Sequence, residues 1–280
     1  MDMKFQRRIQ RYGWDKAATS YEAGWRDSLA LVQSRLLDIA SAQPGERALD
    51  VACGTGLVTF PLAQAVTPEG RVVATDISQG MIDMIQHEAA HRGVGQIQTL
   101  RSDAEALDDV PDEAFDLVTC ALGLMYFPAP DLALKEALRV LKPGGRIVVA
   151  VWGARRNCGW AEIFPIVDAR VQSAVCPLFF MLGTGRMLAM ELERAGFESV
   201  LDERLTTTLP YPDETTALDA AFVGGPVALA YGRFSEETRM EARCEYLASI
   251  SPYQSGNGYR IPGEFVIASA RKPWEPHDSK

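Results

Sequence analysis

Three carboxylates and a pair of glycines carry the chemistry open to this sequence. Asp50 begins the run Asp50-Val51-Ala52-Cys53-Gly54-Thr55-Gly56, Asp76 closes Arg71-Val72-Val73-Ala74-Thr75-Asp76, and Asp103 follows Ser102. Each acid stands in or at the end of a short strand-like run, and open α/β sheets bind their ligands beyond the carboxyl ends of strands. The glycine turn reads as strand, loop and helix. Without a Cβ at Gly54 or Gly56 the backbone passes close beneath a ligand, and the following helix aims free N–H groups at the same spot. An acid about twenty residues beyond such glycines can accept hydrogen bonds from both hydroxyls of a ribose. A third acid at the next strand end could accept from the exocyclic amine of adenine. Any one Asp could simply start a turn. Together the three suit a ligand bearing an ammonium and a sulfonium better than one bearing a pyrophosphate. The dinucleotide fingerprint would require a third glycine at position 59, where Thr59 stands.

The elements that must hold these groups follow in order. Residues 1–43 read as a helical lead-in, with Trp14, Tyr21, Trp25, Leu29, Val32 and Leu36 at mostly helical spacings before Pro44-Gly45. Strands are expected at 47–52, 71–76, 96–102, 115–121 and 146–152, separated by helices, the first at about 57–66. Ser78 is placed to cap the second of these helices. This alternation predicts an α/β protein with a doubly wound, mostly parallel seven-stranded sheet. Beyond residue 153 a helix is expected at 186–195, a sixth strand at 197–209 and a last strand at 263–270. The last two strands are separated by about fifty residues, which makes the insertion a partly helical cap rather than a loop. The expected organisation is a lid at 1–43, a core at 44–272 with cap segments at about 155–185 and 210–257, and a polar tail at 273–280.

The composition narrows the partners. The 280 residues are 47% hydrophobic and carry a net charge of −9, which supplies no basic face for nucleic acid. Lys4, Arg7, Arg8 and Arg11 precede no apolar core, so no signal or anchor is expected, and the most apolar run, 174–182, is about half a membrane span. The reading is of a soluble, cytoplasmic protein, its oligomeric state open to include a homo-oligomer. Five scattered cysteines without a CxxC pair fit reduced thiols. His87 and His91 lie four apart on a charged helix face with no third ligand nearby, so no metal site is expected.

These motifs resemble the class I S-adenosylmethionine-dependent methyltransferases, most closely their ubiquinone/menaquinone-biosynthesis-like small-molecule branch. The resemblance covers about residues 12–210 and 258–272. It rests on the glycine turn from Asp50 to Gly56, on Asp76-Ile77-Ser78 with Met81, on Ser102-Asp103-Ala104-Glu105, on Phe115-Asp116-Leu117-Val118, and on Arg139-Val140-Leu141-Lys142-Pro143-Gly144-Gly145. It implies the Rossmann-like methyltransferase fold and S-adenosyl-L-methionine as cofactor. It also implies Asp76 on the ribose, Met81 against the adenine, Asp103 on the adenine amine, and Gly54 and Gly56 beneath the methionine portion. Asp50, Ala52, Cys53, Ile77, Ala104 and Ala121 complete the expected cofactor set. Ala52 stands where the family often has glycine, a replacement the strand-end backbone accepts if φ is negative.

Methyl transfer from a sulfonium is an in-line displacement, for which alignment alone can be worth about 7 to 11 kcal/mol of barrier. A base is needed only if the acceptor must lose a proton. Tyr21 and Tyr126 are the candidate polar groups near the methyl. The acceptor pocket is expected from Tyr21, Met125, Tyr126, Trp152, Phe179, Phe180 and Phe222, which predicts an apolar or aromatic small molecule; the same residues would equally serve as the cap's own core or a subunit contact. Two other readings remain: a protein that binds S-adenosylmethionine without transferring methyl, and an arsenite or thiol methyltransferase using Cys158 and Cys176.

Overall fold

A computed structural model describes residues 3–171, 176 and 178–274. The chain opens with α1 (Met3–Ala40) and continues through β1 (Arg47–Val51), α2 (Thr59–Val66), β2 (Arg71–Asp76), α3 (Gln79–Arg92), β3 (Ile97–Arg101) and β4 (Phe115–Ala121). Then come α4 (Pro130–Val140), β5 (Leu141–Trp152), α5 (Ile163–Asp168), α6 (Met187–Ala195) and β6 (Glu198–Tyr211). The helices α7 (Glu214–Phe222), α8 (Ala228–Tyr231) and α9 (Glu236–Ile250), the two-residue β7 (Gln254–Ser255) and β8 (Gly258–Arg271) complete it.

One sheet runs in the order β3-β2-β1-β4-β5-β8-β6, with β7 paired to β8 beside this seven-strand path. The first five strands are parallel, and β8 is antiparallel to both β5 and β6. Central strands covered by helices on both faces must be apolar throughout; β1 and β2 are buried at every residue but their first, and Ile147 to Trp152 of β5 are buried without a break. Strand order reverses between β1 and β4, which opens a crevice at their carboxyl ends.

The lead-in is one continuous 38-residue helix rather than several. No proline interrupts it before Pro44, and Gly24, a residue that weakens helices on its own, sits where α7 packs: a Cβ there would meet Ala220 Cα at 3.1 Å. Trp25, Leu29, Val32 and Leu36 bury one face, and α1 lies on α3, α7, α8 and β5. The first crossover helix begins at Thr59, two residues later than the periodicity predicts, because the positive φ angles at Gly54 and Gly56 prolong the turn. Ser78 caps α3 by accepting the Met81 N–H at 3.2 Å. The inserted residues between β6 and β8 hold α7, α8 and α9, and α7 and α9 are capped by Asp213 and Ser235. The apolar run 174–182 and the tail fall partly outside the described residues. Among the described residues no helix is long and apolar enough to cross a membrane.

Arg146 of β5 fastens the end of α1 to the sheet. Its guanidinium donates to the Ala40 and Ser41 carbonyls at 2.6 and 3.0 Å and forms a two-pronged pair with Glu46 at 2.8 and 2.7 Å. Arg146→Ala leaves Glu46 without this cation and takes a donor from both carbonyls, and is expected to cost about 1–3 kcal/mol in urea denaturation; an unchanged midpoint would show that the anchor contributes nothing.

Candidate functional site

The crevice holds a partly open cavity, about 740 Å³ with the solvent space at its mouth included, over the carboxyl ends of β1, β2 and β4. Its walls include Ala52, Gly54, Asp76, Ile77, Met81, Asp103, Ala104 and Ala121, eight of the eleven residues expected to hold a cofactor. Asp50 and Cys53 line an adjoining recess with Ala52, Gly54 and Ala121. Gly56 lines neither space. Its φ is +94° and a Cβ there would meet the Phe60 ring at 2.7 Å, so internal packing requires this glycine, not clearance for a ligand. Gly54, at φ +55°, has nothing within 4 Å of a Cβ position and does border open space.

Ala52 corrects a second expectation: its φ is +54°, in the left-handed region. For an L-residue that conformation costs about 1–2 kcal/mol. The surrounding residues hold it there, since Gly123 leaves room for the Ala52 Cβ, which would lie 2.4 Å from a side chain at position 123.

Two carboxylates beneath the cavity are almost wholly withdrawn from solvent. Asp50 is 1% exposed and accepts from the Thr59 and Thr119 hydroxyls at 2.7 and 2.8 Å. Asp76 is 8% exposed and accepts from the Gly54 and Ser78 N–H groups at 3.0 and 2.9 Å. All four donors are neutral, and among the described residues neither acid forms an ion pair. Burial pushes each up to about 6 against the pull of these hydrogen bonds, and each is also raised by a neighbouring acid, Asp50 by Asp76 and Asp76 by Asp15. Burial and then the negative charge of Asp76 carry the Cys53 thiol well above its usual range.

Tyr21, from α1, borders the main cavity, the recess and a third, aromatic cavity. Burial, then Asp76 and Glu22, raise its phenol far above 10, and burial does the same for Tyr126. Both hydroxyls therefore stay protonated at neutral pH, as hydrogen-bonding groups and not bases. Met125 and Trp152 line the aromatic cavity. Phe179 and Phe180 border none of the three; they stack with each other at 4.7 Å and with Trp160 behind the wall. Phe222 is buried in the cap against Tyr231 and Tyr246, away from these cavities. His87 and His91 are exposed on α3. The thiol of Cys176 accepts from Gln10 at 3.6 Å and that of Cys158 reaches the Glu264 carbonyl at 3.9 Å; among the described residues no three His, Cys, Asp or Glu side chains gather to hold a metal ion.

Of the residues of α1 that roof the main cavity, Tyr21 alone was among the expected site residues. Arg7, Gln10 and Trp14 of α1 line it with Tyr21, and the signal was the helical period that sets these four on one face. Arg7 pairs with Asp103 at 3.1 Å and with Glu105, which also accepts the Ala129 N–H. Asp15 accepts from the Ser78 hydroxyl and the Gly80 N–H at 2.6 and 3.1 Å. The amino-terminal half of α1 is thus latched across the site at two points. A buried hydroxyl on the floor, Thr55 Oγ1, has no hydrogen-bond partner among the described residues.

Residues 26–171 match the ubiE/COQ5 methyltransferase family. The chain belongs to that family. Within it, the chain is 39% identical over 129 residues to the ubiquinone/menaquinone biosynthesis C-methyltransferase UbiE of Ectopseudomonas mendocina, covering 46% of this chain and 50% of that protein. It is likewise 39% identical over 135 residues to the nocamycin O-methyltransferase of Saccharothrix syringae, covering 48% of each. The chain spans about half the length of the curated relatives it matches. Its fold is that of the phosphoethanolamine N-methyltransferase 2 of Haemonchus contortus solved with S-adenosyl-L-methionine (TM-score 0.59, 16% identity, 92% of this chain and 57% of that one). It is equally that of the [4+2]-cyclase SpnF (TM-score 0.59, 22% identity, 91% of this chain and 84% of that one). The fold alone therefore does not settle the reaction. Most of α1 and all of the α7–α9 insertion lie outside the part matched to the ubiE/COQ5 family.

Releasing the Arg7 latch should free the first turns of α1. Arg7→Ala is expected to raise amide hydrogen exchange across residues 3–15 about tenfold, the equivalent of one lost charge-assisted contact, with residues 25–40 unchanged. Equal protection in both proteins would contradict the latch.

Proposed function

We propose that this protein transfers a methyl group from S-adenosyl-L-methionine to a small, uncharged, apolar or aromatic metabolite. The observation that carries the reading is the pair of buried acids at the strand ends, Asp50 and Asp76, held by neutral donors only. A buried carboxylate without a cation is costly, and a ligand bearing an ammonium and a sulfonium would supply the missing positive charge. The residues present fit that group in two further ways: Gly54 leaves space where a side chain would stand, and Thr55 Oγ1 offers a buried hydroxyl without a partner among the described residues.

In this reading Asp76 receives the ribose hydroxyls through lone pairs not used by the Gly54 and Ser78 amides, and Met81 and Ile77 pack against the base. Asp103 and Ala104 border its amine edge. Asp103 is reached by Arg7, so the guanidinium would close over the adenine from the lid. Ala52, Cys53, Gly54 and Ala121, with Asp50 behind them, form the floor at the methionine end. The bound cofactor supplies an electrophilic methyl group whose transfer by in-line displacement needs no metal.

The chain's own contribution is alignment and exclusion of water. The helix α1 covers the site, and Tyr21 stands where the main cavity, the recess and the aromatic cavity meet. With its phenol kept protonated, Tyr21 can orient an acceptor but does not deprotonate it, so a neutral nucleophile that needs no base before attack is favoured.

Asp76→Ala should weaken S-adenosylmethionine binding by about tenfold or more in titration calorimetry, the loss of hydrogen bonds to a charged group. Unchanged affinity would remove Asp76 from the site. Incubation with methyl-labelled cofactor and a neutral metabolite extract should label an extracted compound; tight binding with no label transferred would favour a protein that binds the cofactor without methyl transfer.

A further inference from the structure

Beside the main cavity lies a second, smaller aromatic cavity, and the two share Trp14, Tyr21, Leu122 and Tyr126 as walls. Three indoles form its far side. The ring centres of Trp152 and Trp160 lie 4.8 Å apart, and Trp25 stands 6.1 and 6.0 Å from them. Trp25 and Trp160 are 7% and 4% exposed, and the Nε1–H of each is buried with no hydrogen-bond partner among the described residues.

Two unpartnered donors in one cavity wall are unusual, because buried N–H groups in folded proteins are nearly always satisfied. An indole nitrogen donates and cannot accept. Among the described residues no Lys, Arg or His side chain lines this cavity, so none of them in its wall balances an anion. An ammonium would bring further donors to face donors, although the rings could otherwise attract a cation. The occupant that satisfies the wall is neutral, flat enough to lie among indoles, and equipped with an oxygen that accepts.

We propose that Trp25 and Trp160 form the specificity-determining subsite for the methyl acceptor, each indole N–H donating to a neutral carbonyl-type oxygen. The proposal rests on the methyl-transfer reading for its biological meaning, but the subsite itself does not depend on the cofactor. The shared walls put the occupant next to Tyr21 and the main cavity, with the reacting atom turned toward the cofactor and the oxygen turned away from it. Trp25, on the lid, and Gly225 and Pro226, in the inserted cap, line this cavity and lie outside the part of the chain matched to the family. Trp160 and Trp152 lie within that matched part, so the subsite joins an indole of the family core to one from the lid.

Acetophenone, ethylbenzene and benzoate are the probes: a neutral ketone, its analogue without oxygen and an anion of similar shape. In protein with ¹⁵N-labelled tryptophan, acetophenone should shift two indole N–H signals downfield, and these should be the signals lost in Trp25→Phe and Trp160→Phe. Ethylbenzene and benzoate should leave both in place. Acetophenone should bind about tenfold more tightly than ethylbenzene, and each Phe variant should lose most of that preference while keeping its ethylbenzene affinity. The subsite is refuted if acetophenone shifts neither signal in the native protein, or if the preference survives in both variants. Because the native spectrum is read without cofactor, a failure of S-adenosylmethionine to bind, measured separately, would sink the methyl-transfer reading and leave this one standing.

Discussion

The site depends on two carboxylates kept from water without a cation. Asp50 and Asp76 end up beneath the crevice because parallel β1 and β2 place their carboxyl ends side by side, with Asp50 opposite Ala74 and Val51 opposite Thr75. Neutral hydroxyl and amide donors stabilise their charge only partly. The remaining cost is visible in the neighbours: Asp76 helps to hold the Tyr21 phenol and the Cys53 thiol in their protonated forms. A floor of this kind repels anions and leaves its polar side chains to donate, orient and exclude water.

Over this floor the chain builds a roof from segments remote in sequence. The carboxyl-terminal end of α1 is fixed to the sheet by Arg146, and its amino-terminal half is held by Arg7 and Asp15 across the mouth of the cavity. Side-chain latches of this kind are the contacts that yield first when a site opens. The part of the chain matched to the ubiE/COQ5 family supplies the floor, while most of the roof and the inserted cap are added from outside it.

Much of this was legible in the sequence, for physical reasons that differ by element. The alternation of apolar strands with amphipathic helices, the glycine turn and the acids at Asp76 and Asp103 are local patterns, and the architecture follows from them. The backbone at Ala52 was not legible, because a positive φ at alanine is imposed by its fit against Gly123 and not by its own preference. Gly56 was visible as a glycine, but its reason, contact with Phe60, is tertiary. Phe222 has the composition of a ligand pocket yet packs within the cap, since aromatic content does not distinguish a lined cavity from a filled one. Arg7 and Trp14 lay on a recognisable helix face, but nothing in the sequence says which part of the sheet that face would cover.

The most direct test is the affinity of S-adenosylmethionine measured by calorimetry between pH 5 and 7. Asp50 and Asp76 sit near 6, so above that value both are ionised and attract the cationic ligand, and below it protonation removes the attraction. Affinity should fall as pH is lowered through about 6, with protons released when the ligand binds near that pH. A flat profile with no proton release would contradict the claim that these two acids form the floor of a site for a cation.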